Sequence, residues 1–112
     1  MADCLFCKMV AGDIKPDVVF ENDHILAFRD INPQAPVHIL VIPKSHISTL
    51  NDLDDAQLGG QILQAAVGLA KQEGLAEDGY RTVFNCNSNG GQAVYHLHLH
   101  LLGGRQLGWP PG

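Results

Sequence analysis

From Val94 to Leu102 apolar and polar residues alternate, and the polar positions are His96, His98 and His100. A period of two fits a β-strand, because successive side chains point to opposite faces of a sheet. The pattern therefore predicts one strand with its histidines on one face and Tyr95, Leu97, Leu99 and Leu101 on the other. An apolar back of that kind must lie on a core, so the remainder of the chain has to supply neighbouring strands and a cover. Alternate residues are about 6.5 to 7 Å apart, which separates His96 from His100 by about 13 Å and prevents all three from serving one metal ion. Two of them could share an ion with a third ligand such as His38, which would define a zinc hydrolase. A merely solvated face normally uses Thr, Lys and Glu.

Other segments fit this demand. Cys4 to Val10 reads as a short helix capped by Asp3 and ended at Gly12. Val18 to Phe20 and Ile25 to Arg29 read as a hairpin across Glu21-Asn22-Asp23-His24, and Val37 to Ile42 as a strand bounded by Pro36 and Pro43. Leu58, Ile62, Ala65, Ala66, Leu69 and Ala70 recur at three and four residues, the stripe of one long helix, with a cap at Asp54 and a stop at Gly74. Gly59, Gly60 and Gly68 each cost that helix about 1 kcal/mol relative to alanine, so close packing against a neighbour is expected there. Arg81 to Phe84 is a further strand and Asn85 to Gln92 a polar loop. Strands, one long helix, then strands again make an α+β fold with a mostly antiparallel sheet, in one domain spanning 1-112.

The 112 residues carry 12 acidic against 7 basic side chains, a formal charge of −5, without clusters of Lys or Arg. Nucleic-acid polymers and anionic membranes are thereby poor partners. Met1 to Val10 lacks the long apolar core of an export signal, and no run approaches the ~18 apolar residues of a membrane span, so a cytoplasmic location is expected. Three cysteines, with Cys4 and Cys7 close in sequence, suit a reducing compartment better than a disulfide framework.

The histidine strand also fits phosphate chemistry. An imidazole has an ordinary pKa near 6.5, so its neutral, nucleophilic form is available at neutral pH. Attack through Nε2 requires the proton to stay on Nδ1, which a backbone carbonyl can ensure. Flanking histidines bring proton donors within reach of phosphate oxygens and leaving group.

His96-Leu97-His98-Leu99-His100-Leu101-Leu102 resembles the His-φ-His-φ-His-φ-φ motif of the histidine-triad (HIT) proteins. The similarity extends over Phe28 to His38, Val41 to Lys44, Gly90 to Tyr95, Leu102 to Gln106 and Trp109 to Gly112, and is strongest to the branch of purine nucleoside phosphoramidases. The resemblance implies a five-stranded, mostly antiparallel sheet with one long and one short helix, continued across a two-fold homodimer.

It also implies hydrolysis of purine nucleoside 5′-phosphoramidates through a nucleotidyl-histidine on His98, without a catalytic cofactor. Dinucleoside polyphosphate hydrolysis and a nucleotide-binding regulatory role with weak activity are the alternatives. His96 would orient the nucleophile through its backbone carbonyl, His100 would donate to the phosphate, and His38 would complete the cluster near the leaving group. Asp30 would hold the ribose hydroxyls, and Leu5, Phe6, Met9, Phe28, Ile31 and Leu40 the purine. Asn85, Gly91, Ala93 and Val94 would wall the phosphate, with Trp109 reaching the partner's site. Ala93 departs from the serine of many eukaryotic members, which removes a hydroxyl from the phosphate or leaving group. Some relatives bind structural zinc through a set that corresponds here to Cys4, Cys7, His46 and His96. Cys86 and His24 receive no role.

Overall fold

A computed structural model describes residues 3–112. Helix α1 (Leu5–Ala11) is capped by Cys4 instead of Asp3, its sulfur accepting from the Cys7 amide at 3.3 Å. Gly12 ends the helix at φ 86°, a left-handed conformation that an L-residue adopts at a cost. Strands β1 (Val18–Glu21) and β2 (Ile25–Arg29) form the expected hairpin, in which the Asn22 carboxamide accepts from the His24 and Ile25 amides at 2.9 and 2.8 Å. Strand β3 (Val37–Pro43) leads through a 3-10 turn at Leu50–Asp52 into helix α2 (Ala56–Gln72). The cap of α2 is Asp55, which accepts from the Gln57 and Leu58 amides, and not Asp54. Strand β4 (Tyr80–Phe84), a one-turn helix α3 (Asn87–Gly90) and strand β5 (Leu99–Gly103) complete the chain.

The strands form one sheet in the order β1-β2-β3-β5-β4, each neighbouring pair antiparallel. One face presents Ile25, Ala27, Ile39, Val41, Leu99 and Leu101 to Ile62, Ala66, Leu69 and Ala70 of α2. Truncating any of the large residues in this layer would cost about 2 to 5 kcal/mol. Arg29 ties the sheet to the end of the same helix through a two-pronged pair with Glu73, at 2.9 and 3.1 Å. The opposite face carries Leu26, Phe28, Leu40 and Ile42 beneath Phe6 of α1. His38, Leu40 and Ile42 alternate onto that face, and Leu40 pairs with His100 across β3 and β5.

The long strand expected from Val94 starts only at Leu99. Gln92 is responsible in part: its buried carboxamide accepts from the Asn87 amide at 2.9 Å and donates to the carbonyls of Ser48 and Val94 at 2.9 and 3.1 Å. The backbone before Leu99 is held by these bonds and by Leu97 N–H to Ile47 O, in place of a ladder. Tyr95 consequently leaves the leucine face and is 46% exposed.

Close packing does not explain the helical glycines as a group. A Cβ at Gly59 would meet Leu53 at 3.4 Å, an ordinary contact, whereas at Gly60 and Gly68 nothing lies within 4 Å. Gly60→Ala is therefore expected to stabilise the fold by about 1 kcal/mol, the propensity difference, read as a higher urea midpoint at unchanged slope. A lower midpoint would show that this position is covered by something outside the chain.

Candidate active site

The bend before β5 matters chemically because it lets a side chain reach its own upstream backbone. His98 Nδ1 lies 2.7 Å from the carbonyl oxygen of His96. A carbonyl only accepts, so Nδ1 carries the proton and Nε2 keeps its lone pair. In a regular strand the carbonyl two residues back lies in the plane of the sheet while the side chain stands perpendicular to it, so this contact needs the irregular backbone.

Around His98 the rings are packed edge to face. His100 lies at a centroid distance of 4.9 Å, Phe6 at 5.2 Å, and His38 lies 5.2 Å from His100. His38 Nε2 is 2.9 Å from His100 Nδ1 and 3.4 Å from Asp30 Oδ2. Asp30 meanwhile accepts from the Asn32 amide at 2.8 Å, so it serves as a turn former and as a neighbour of the histidines together. Burial holds the pKa of all four rings, His38, His96, His98 and His100, below the ordinary value. For His100 the value falls to about 4, because burial is reinforced by His98 and His38 and only opposed by Asp30. The cluster is therefore a set of neutral imidazoles at pH 7.

The apolar residues divide by depth. Phe6, Phe28 and Leu40 are at most 6% exposed and belong to the second core, with Phe6 and Phe28 edge to face at 5.4 Å. Met9 and Val94 pack partly buried against them. Leu5 and Ile31 face outward, Ile31 at 98% exposure, and Trp109 stands 82% exposed on the tail. Asn85 is half-buried next to the one-turn helix, Ala93 is exposed, and Gly91 takes φ 77° with open space around its Cβ position. The structure thus gathers His38, His96, His98 and His100 with Asp30, Phe6 and Phe28, and leaves Trp109 and Ile31 largely exposed.

A second cluster lies behind His96. The donor atoms of Cys4, Cys7, His46 and His96 all fall within 4.8 Å of one another. Cys4 Sγ is 3.3 Å and Cys7 Sγ 3.6 Å from His96 Nδ1, and Cys7 Sγ is 3.3 Å from His46 Nδ1. A tetrahedral ion with sulfur at about 2.3 Å and nitrogen at about 2.0 Å has S···N edges of about 3.5 Å, so these residues fit zinc. His96 Nε2 donates to the Pro43 carbonyl at 2.8 Å, which leaves the Nδ1 lone pair facing the sulfurs. Ser48 stands 3.3 Å from His46 Nε2 in the matching position. His98 belongs to neither group of metal-capable donors among the described residues, and His96 and His38 belong to different ones. No His-x-His pair is therefore gathered with His38 into one donor set among the described residues. Sequence reasoning missed Gln34, Pro43 and Ser48, which act through backbone groups or one hydroxyl.

One antiparallel sheet with an ordered set of neutral imidazoles at the end of its central strands defines a histidine-triad enzyme. The HIT domain profile matches residues 11–107, and the chain belongs to that family. It is 50% identical over 108 residues to the purine nucleoside phosphoramidase of Escherichia coli, covering 95% of this chain and 91% of the relative. A 14 kDa zinc-binding protein of Zea mays is 51% identical over 112 residues, covering 96% and 87%. The crystal structure of a HIT family hydrolase from Legionella pneumophila superposes with a TM-score of 0.96 at 62% identity, covering 98% of this chain and all of that one.

Proposed function

We propose that the protein hydrolyses purine nucleoside 5′-phosphoramidates to the nucleoside monophosphate and the free amine. The observation that carries this reading is the 2.7 Å contact of His98 Nδ1 with the His96 carbonyl, which leaves Nε2 as a neutral nucleophile. His98 Nε2 attacks phosphorus, the P–N bond to the amine breaks, and the departing nitrogen takes a proton from the imidazole cluster. Water then attacks the nucleotidyl-histidine, the P–Nε2 bond breaks, and the water's proton returns to the cluster. The 50% identity to a phosphoramidase supports the choice of a P–N substrate.

Asp30 accepts from the ribose hydroxyls, its two oxygens suiting a vicinal diol. The purine rests on Ile31 and Leu5, the apolar groups left open beside the floor of Phe6, Met9, Phe28 and Leu40, which supply area without positive charge. Gly91, Ala93, Val94 and Asn85 flank the phosphate. Zinc on Cys4, Cys7, His46 and His96 is structural, tying α1 to the segment that bears the nucleophile. No described helix is long and apolar enough to cross a membrane, and the free thiols suit the reducing cytoplasm. A panel of adenosine and guanosine phosphoramidates against a dinucleoside polyphosphate tests the activity; preference for the polyphosphate would overturn it.

The outer edge of β4 is unpaired among the described residues, since β4 ends the strand order. Arg81 anchors the tail by donating to Gly108 O at 2.8 Å, so Trp109 projects outward instead of folding back. A second copy pairing along β4 would cover the edge and bring Trp109 to its partner's site. Sedimentation at micromolar concentration is expected to give the mass of two chains, and a single-chain mass would refute the homodimer.

A further inference from the structure

We propose that Arg105 is a positioning residue for the histidine cluster, acting through the backbone of Gln34 to fix which nitrogen of His38, and hence of His100, carries a proton. The proposal rests on the phosphoryl-transfer reading above, because it concerns the group that faces the phosphate.

The argument runs inward from the surface. Arg105 follows β5, and its Nη2 donates to the Gln34 carbonyl at 2.9 Å while Nη1 donates to Gln106 O at 3.1 Å. The guanidinium thus pins the proline loop to the end of the catalytic strand. Gly104 allows that approach: its φ is 94°, and a Cβ there would fall 2.8 Å from Pro36 Cβ. The N–H of Gln34, one peptide group upstream of that carbonyl, donates to His38 Nδ1 at 3.0 Å, so pinning the carbonyl fixes the backbone angles that aim this N–H. An N–H cannot accept, so His38 Nδ1 must hold a lone pair and the proton of the neutral ring sits on Nε2.

That proton has one near acceptor, His100 Nδ1 at 2.9 Å, with Asp30 Oδ2 further off at 3.4 Å. His100 Nδ1 therefore also holds a lone pair, and the His100 proton sits on Nε2, the nitrogen free to donate to a phosphoryl oxygen. Without the Gln34 N–H, His38 could take its proton on Nδ1 and turn a bare Nε2 toward the bare Nδ1 of His100, a repulsive pair relieved only when His100 also changes tautomer. The result would be a His100 that presents a lone pair to an anion.

The same chemistry decides the use of the triplet Asp30, His38 and His100, whose donor atoms lie within 4.8 Å of one another. A cation at His38 Nε2 needs the lone pair that the Gln34 N–H holds on the other nitrogen. The triplet is a hydrogen-bond chain, not a metal site.

The test uses the full-length protein labelled with 15N. In the wild type, His38 should show one protonated Nε2 and one unprotonated Nδ1 in long-range 1H–15N spectra. In Arg105→Ala the two shifts should move toward an averaged pair, and kcat should fall about tenfold, the scale of one charge-assisted hydrogen bond, with KM within about twofold. Arg105→Lys, which can still donate to the carbonyl, should recover both. Arg105→Gln, too short to reach it, replaces the alanine variant should that fail to fold. An unchanged His38 pattern in the alanine or glutamine variant overturns the proposal whatever the rate does. An active His98→Ala protein would instead remove the phosphoramidase mechanism and leave the His38 measurement standing, so the two failures are distinguishable.

Discussion

Replacing His98 by asparagine or alanine is expected to abolish turnover of an adenosine phosphoramidate while nucleotide binding survives. Asparagine can still donate to the His96 carbonyl, so the local backbone keeps its 2.7 Å anchor point, but it offers no lone pair to phosphorus. Loss of a covalent nucleophile should lower kcat by at least about 10⁴-fold, equivalent to about 5.5 kcal/mol of barrier. His100→Gln retains a hydrogen-bond donor and should lose less, about 10²-fold, because it removes proton transfer and not the bond-forming atom. Binding should change by no more than about threefold in either variant, since affinity comes from Asp30 and the apolar surface. Rapid quench under alkaline conditions should trap the nucleotide on His98 in the wild type and on no residue in the variants. His98→Ala turnover within about tenfold of the wild type would sink the covalent mechanism.

That experiment addresses a residue whose place was legible in the alternation of His96 to Leu102, as was the need for a backbone carbonyl on its Nδ1; the irregular backbone that brings that carbonyl within 2.7 Å was not. Periodicity told which side chains share a face, and β5 keeps that face from Leu99 onward. It did not tell that the strand would begin so late, because the competing bonds come from Gln92 and from Ile47, residues a period-two pattern does not weigh. The helix α2 stripe was read correctly down to Ile62, Ala66, Leu69 and Ala70, whereas its cap moved by one residue to Asp55. Neighbouring aspartates offer the same side chain, and only the backbone angle chooses between them.

The tautomers of His38 and His96 were the least legible, whereas that of His98 follows the carbonyl the resemblance implies. His38, His96 and His98 are each set by a main-chain group, from Gln34, Pro43 and His96 respectively. Peptide groups occur at every residue, so no pattern of side chains can announce which one is used. Among the residues proposed to hold the purine, depth was not legible: Phe6, Phe28 and Leu40 are as buried as core residues and Ile31 is nearly bare.

The metal cluster carries the second large expectation. Protein purified without chelator should hold about one zinc per chain, and the double variant Cys4→Ser with Cys7→Ser should hold none. Burial, then the Cys4 sulfur, pushes the Cys7 thiol up, so in the free protein Cys7 does not favour its thiolate. Binding must therefore expel protons, and occupancy should fall as the pH is lowered. Four donors come from three separated places: helix α1, the segment after β3, and His96. An ion that joins them closes the long loops between residues 4, 46 and 96, so its loss should lower the melting temperature by about 10 °C or more. Activity should decline by about tenfold as well, because His96 would keep only its Pro43 bond, and its carbonyl orients His98. Cys86→Ser should leave metal content, melting and rate unchanged, since Cys86 belongs to neither group of metal-capable donors and its side chain makes no cap hydrogen bond. A wild-type protein with less than about a tenth of an equivalent of zinc would refute the metal site and leave the two cysteines as a helix cap and its neighbour.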